Sequence, residues 1–80
     1  MSKTVDETLR VARIILRVLG DGPKRWTELG KLTTKVSPSY GRFQSTLRWL
    51  LEKGYVRKAR RGIYEITDKG RAFYRIVGLN

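Results

Sequence analysis

Four breaks constrain the fold of this chain more than any other feature: Gly20-Asp21-Gly22-Pro23, Ser37-Pro38, Gly54 and Arg60-Arg61-Gly62. Each is a point where a helix or strand has to stop. Glycine reaches backbone angles closed to other residues, and proline lacks an N–H donor. The stretches between them are short, so the chain folds as several brief elements around one shared core. Its 80 residues make a single domain, residues 1–80. A chain of this size buries only about 60% of its unfolded surface, which leaves little room for a deep substrate cavity.

The stretch before the first break predicts a helix over about Val5–Leu19. Val5, Leu9, Ala12, Leu16 and Leu19 share one face, and Val11, Ile14, Ile15 and Val18 widen it. Asp6, Arg10, Arg13 and Arg17 form the polar stripe opposite. Such a helix is buried on more than one side. After the turn, Trp26 fits a very short strand and Thr27 caps a second helix, with Glu28 in its first turn. Leu29 and Leu32 face inward. Gly30 costs about 1 kcal/mol relative to Ala in a helix, which a close helix–helix approach would explain. Thr33 to Val36 read as a tight connection.

Ser37 then serves as N-cap and Pro38 as first residue of a third helix running to about Lys53. Tyr40, Phe43, Leu47, Leu50 and Leu51 lie on its core side. Arg42, Ser45, Trp49 and Lys53 lie opposite, flanked by Gly41, Arg48 and Glu52. Tyr55 to Ala59 and Ile63 to Ile66 alternate apolar with polar residues, a hairpin whose tip is basic. Gly62 supplies the turn's unusual backbone angle. Thr67 caps a last helix through about Val77, with Ala72, Phe73, Ile76 and Val77 inward. The fold class is α+β and mostly helical: helix, short strand, helix, helix, two-stranded wing, helix. The second and third helices, about 27–53, have helix-turn-helix spacing, and the wing covers about 55–66.

Leu47-x-x-Leu50-Leu51-x-x-Gly54-Tyr55-Val56, a basic hairpin, then Tyr64-x-Ile66-Thr67-x-x-Gly70 resembles the winged helix-turn-helix domains of bacterial and archaeal transcription regulators. Thr27-Glu28-Leu29-x-x-Leu32 is similar to that family's second helix. The resemblance covers Val5 to Val77 and is strongest to short archaeal and archaeal-virus regulators. MarR-like and PadR-like regulators share the pattern but usually add dimerisation helices. The Pro-Pro-x-Trp wing of domains that bind left-handed duplexes is missing. The resemblance implies sequence-directed binding to double-stranded DNA, with the third helix in the major groove and the wing on the minor groove or backbone.

Charge narrows the function independently. Eighteen Lys and Arg face seven Asp and Glu, a formal net charge of +11, and there is no His and no Cys. Without Cys there is neither a disulfide framework nor a thiolate metal site. Without His the commonest general base and metal ligand are gone. The expectation is a protein that is not an enzyme, with no cofactor, metal or small-molecule ligand. The excess charge calls for a polyanion. Duplex DNA presents one phosphate per ~1.7 Å of axis; an anionic membrane surface is the rival. No apolar run reaches the ~18 residues of a membrane span, and Met1 to Asp6 show no secretory signal. The expected location is the cytoplasm, on the nucleoid. The charge is also unevenly placed. Residues 23–80 carry fourteen Lys and Arg against four acids, whereas residues 1–22 carry four against three.

Candidate site residues follow. Ser39, Arg42, Ser45 and Thr46 face the major groove from the N-terminal part of the third helix. Arg42 either pairs with guanine O6 and N7 or meets phosphate or solvent. Gln44 lies nearer the core flank. Gly41 either lets DNA approach the backbone or relieves packing against the second helix. Arg57, Lys58, Arg60 and Arg61 arm the wing for phosphate or the minor groove, the alternative being a solvated loop. Lys31 and Lys35 are candidate phosphate clamps. Trp49 packs under the wing, meets a partner, or touches the sugar–phosphate backbone. The excess apolar surface of the first helix, at Val11, Ile14, Ile15 and Val18, suggests a homodimer reading two-fold related half-sites. Two other functions fit the charge: an RNA- or ribosome-associated protein stacking bases on Trp49, Tyr55 and Tyr64, and a protein-interaction module of the transcription or replication machinery.

Overall fold

The computed structural model describes residues 3–78, with side chains from residue 7 onward. Val5 and Asp6, placed above on the two faces of the first helix, lie outside the described side chains. In chain order the elements are α1 (Lys3–Leu19), β1 (Lys24–Arg25), α2 (Trp26–Val36), α3 (Tyr40–Lys53), β2 (Val56–Arg60), β3 (Ile63–Ile66) and α4 (Asp68–Val77). The strands form an antiparallel sheet in the order β1-β3-β2. The fold is α+β and mostly helical, a winged-helix-like arrangement. Among the described residues no helix is long and apolar enough to cross a membrane.

The wide apolar face of α1 is used inside the molecule. Val11, Ala12, Ile15, Leu16 and Leu19 are buried with Leu29 of α2, Phe43, Leu47 and Leu50 of α3, Val56 of β2 and Tyr64 of β3. Burying a large aliphatic side chain stabilises by about 1.5–3 kcal/mol, so this cluster dominates folding. Val11 is 2% exposed and Ile15 fully enclosed. Neither can serve as a dimer contact, which corrects half of the interface expected on α1. Ile14 and Val18 are half-buried.

Helix ends depart from the sequence expectation at two places. α2 starts at Trp26, with Arg25 as N-cap and no side-chain capping bond. The cause is the sheet. β1 pairs Lys24 with Tyr64 and Arg25 with Ile63, and the Trp26 N–H donates to the Gly62 carbonyl at 2.9 Å. A backbone bond to the wing turn replaces the Thr27 cap. α2 also continues through Thr33–Val36, where a connection was expected, and ends at Ser37, whose N–H donates to the Thr33 carbonyl. Proline holds the residue before it in extended geometry, and Ser37 is extended. The N-cap of α3 is therefore Ser39, whose hydroxyl accepts from the Arg42 N–H at 3.3 Å.

Two glycines set the spacing of the elements. A Cβ on Gly30 would lie 3.0 Å from the Phe43 ring, so α2 and α3 approach through this residue. A Cβ on Gly70 would lie 2.0 Å from the Tyr55 carbonyl oxygen, so α4 abuts the start of the wing. Thr67 stitches the same junction: its hydroxyl accepts from the Gly70 N–H and donates to the Gly54 carbonyl at 2.6 Å. That contact fixes the rotation of α4. Gly70 is buried and Phe73, Tyr74 and Val77 are half-buried, whereas Ala72 and Ile76 face outward. Ala72 and Ile76 are thus removed from the expected inner face.

Among the described residues, one buried side-chain polar group lacks a partner. Thr33 is fully enclosed and its hydroxyl has no hydrogen-bond partner. Thr33→Val is expected to stabilise the protein by about 1 kcal/mol, read as a higher urea midpoint. Gly70→Ala is expected to cost about 3 kcal/mol in the same assay; a neutral result would show that α4 does not need this approach.

Candidate nucleic-acid interface

Burial along α3 identifies the side that α3 offers to solvent. Phe43, Thr46, Leu47 and Leu50 are buried, and Gly41, Gln44, Ser45, Arg48 and Glu52 are exposed at helical spacing. Thr46 is 2% exposed and lies on the core side, so it cannot reach a groove. The expectation for Thr46 is corrected. Tyr40 accounts for the difference: it belongs to the surface, not to the core. Tyr40 is 48% exposed and packs edge-on against Trp26, with centroids 5.5 Å apart. Phe43, Leu47 and Leu50 alone give the right phase, and they bring Gln44 and Arg48 into the outward set. The sequence expectation sets Arg48 beside this side but Gln44 nearer the core flank, and the exposure of Gln44 corrects the latter.

The remaining α3 candidates divide. Ser45 stands exposed, its hydroxyl donating to the Arg42 carbonyl. Ser39 is exposed but its hydroxyl is engaged in capping. Arg42 reaches α1, where its Nη1 lies 2.5 Å from a Glu7 carboxylate oxygen. Gly41 meets open space, since nothing lies within 4 Å of a Cβ built on it. Packing against α2 is therefore not the reason for this glycine.

The wing sorts its cations in the same manner. Register places Arg57 opposite Glu65 and Lys58 opposite Tyr64. The Arg57 guanidinium pairs with the Glu65 carboxylate, and the Lys58 ammonium lies 5.9 Å from the Tyr64 ring centroid. A bulge follows, with Arg60 opposite Ile63 and Ala59 unmatched. Gly62 closes the turn at φ 76°, as expected. Arg60 and Arg61 are exposed and form no ion pair among the described residues.

A shallow cleft joins this turn to the start of α2, lined by Arg25, Trp26, Thr27, Arg61, Gly62 and Ile63. The first turn of a helix carries free N–H groups and partial positive charge. Here Arg25 and Arg61 add two cations, so the cleft suits an anionic oxygen. Lys31 and Lys35 are exposed one and two turns further along α2 from Thr27.

The aromatic residues hold this framework together. Trp26, Tyr40 and Phe43 form one cluster, joining the starts of α2 and α3. Trp49, Tyr55 and Phe73 form another, with Tyr55 and Phe73 stacked 4.2 Å apart. The Lys69 ammonium lies over Tyr55 and also donates to the Lys53 carbonyl at the end of α3. Packing therefore accounts for Trp49. Tyr64 is 8% exposed, so of the three rings considered for base stacking, all are engaged internally.

Compared with protein-family models, with curated proteins and with solved structures, the chain finds no match.

The assignment of Arg42 to an ion pair has a measurable consequence. Arg42→Ala is expected to cost at most about 1 kcal/mol of stability at low salt, and the cost should shrink as salt screens the pair. Arg48→Ala is expected to stay within about 0.5 kcal/mol. A salt-independent loss for Arg42→Ala in urea unfolding would show that the pair with Glu7 is not its role.

Proposed function

We propose that this protein binds double-stranded DNA and regulates transcription from the nucleoid. The outward side of α3 enters the major groove with Gln44, Ser45 and Arg48. Arg60 and Arg61 hold the minor groove or the flanking backbone. The cleft at Arg25 and Arg61 receives a phosphate, and Lys31 and Lys35 extend that contact.

The observation that carries this reading is the wing tip. Two adjacent arginines without an ion pair among the described residues repel each other, so folding alone gives no reason for them. Phosphates reward such a pair through release of condensed counterions. Gly41 supports the same reading. It occupies the first turn of α3 without an internal reason, and a missing side chain there lets a duplex approach the backbone. The engagement of Trp49, Tyr55 and Tyr64 in packing weighs against RNA binding by base stacking. A homodimer through α1 is not needed. Stable interfaces bury about 800 Å² per partner, and Val11 and Ile15 contribute to the core instead.

Anisotropy titration of a mixed-sequence duplex tests the reading. The logarithm of affinity should fall steeply and linearly with the logarithm of salt concentration. Arg60→Ala/Arg61→Ala should reduce the magnitude of that slope by about 2. An unchanged slope contradicts the role of the wing, and structured RNA that outcompetes the duplex would favour the RNA reading. Gly41→Ala should raise stability by about 0.4–1 kcal/mol yet weaken duplex binding. Stabilisation with unchanged binding would remove Gly41 from the interface.

A further inference from the structure

The arginine stripe of α1 is not explained by the core or by the proposed DNA contacts. Arg10, Arg13 and Arg17 line a cleft with Ile14 of the same helix, Val36 from the end of α2 and Tyr74 of α4. Arg10 and Arg17 are exposed. Arg13 is half-buried, and its hydrogen bond is a long one, from Nη1 to the Val77 carbonyl at 3.4 Å. The two ion pairs given by the described side chains lie elsewhere, at Glu7–Arg42 and Arg57–Glu65. Pairing with Asp6 would involve a side chain outside the described set. Like charges three and four residues apart on a helix repel, and of the three only Arg17, in the last turn, is favoured by the helix dipole.

The apolar part of the cleft is equally distinctive. Val36 is 60% exposed, and it stands at the margin of a concave surface that already contains Ile14 and Tyr74. Arginine and tyrosine beside apolar side chains are the composition of a protein-interface centre.

We propose that this cleft docks an acidic protein segment that carries an apolar side chain between its carboxylates. Charge complementarity selects this occupant over others. A nucleic-acid backbone would use the guanidinium groups but not the apolar wall. A second copy in a two-fold contact would set one arginine stripe against the other. A carboxylate matches the guanidinium fork with two parallel hydrogen bonds, and the apolar residue fills the space beside Ile14 and Val36. From residue 10 to residue 17 the helix rises about 10 Å, the length of about three extended residues. A short acid–apolar–acid segment therefore covers it. The site involves none of the wing or α3 residues assigned to DNA, so it stands or falls separately from the DNA-binding reading.

The test uses a fluorescent peptide of alternating Glu with Leu or Phe, titrated with the full chain by anisotropy. Three variants are compared with the parent protein: Arg10→Ser/Arg17→Ser, Val36→Asp and Arg60→Ala/Arg61→Ala. The two double variants remove the same charge, and all the altered positions are exposed. Peptide binding should weaken about tenfold or more in Arg10→Ser/Arg17→Ser and in Val36→Asp. It should stay within about twofold in the wing variant. Equal weakening by the two double variants would reduce the effect to net charge and overturn the proposal. Equal binding of a peptide with Gln in place of Glu would do the same. If Arg10→Ser/Arg17→Ser weakens duplex DNA binding, or binding to phosphatidylserine vesicles, while peptide binding holds, the stripe is a nucleic-acid or lipid surface instead.

Discussion

α1 touches α2, α3, α4 and β3, and the burial of its apolar face is the interaction on which the rest of the structure depends. Val11, Ala12, Ile15, Leu16 and Leu19 fill the space between the other elements. An 80-residue chain has little room for a second core to compensate. This burial also decides which surfaces remain. With the apolar face of α1 consumed, α3 must turn Phe43, Leu47 and Leu50 towards it, and Gly41, Gln44, Ser45 and Arg48 are left facing out. The outward side of α3 is thus a consequence of packing before it is anything else.

Close approaches and aromatic clusters then fix α3 and the wing relative to each other. Gly30 brings α2 onto Phe43, and Gly70 brings α4 onto the Tyr55 carbonyl. Trp26, Tyr40 and Phe43 brace one end of α3; Trp49, Tyr55 and Phe73 brace the other. These braces hold the outward side of α3 and the wing in a fixed relation. The sheet adds a further link, because the Trp26 N–H bond to Gly62 ties the start of α2 to the wing turn.

Much of the fold was legible from local chemistry. Gly54 at the end of α3, Gly62 in the hairpin and Thr67 at the start of α4 each do what their residue type dictates. What the sequence hid was rotation and competition. Thr46 was placed outward and Ile76 inward because wheel phase depends on which flanking residues are counted as core. Tyr40 satisfies itself against Trp26 at the surface, and the Gly70 contact turns α4. Ser37 looked like the better cap for α3, but α2 runs one turn further and uses Ser37 to end itself. Val11 and Ile15 looked surplus on α1 because helix periodicity cannot count how many neighbours will cover it. Of the site, the wing tip was legible from charge alone. Gln44 required the phase of α3, and the engagement of Arg42 with Glu7 required tertiary structure.

The cations of this protein differ in whether the fold engages them. Arg42 and Arg57 are in ion pairs, and Lys58 and Lys69 lie over rings. Arg60 and Arg61 at the wing tip and Arg48 on α3 are exposed without ion pairs among the described residues. The proposed function rests on Arg48, Arg60 and Arg61 belonging to one DNA-binding surface. Amide chemical-shift mapping during titration with a mixed-sequence duplex tests it most directly. The account predicts that the largest shifts fall on Gly41 to Arg48, on Arg60 to Gly62 and on Arg25 to Thr27. Shifts concentrated instead on Arg10 to Arg17, or none above those of a salt control, would contradict it.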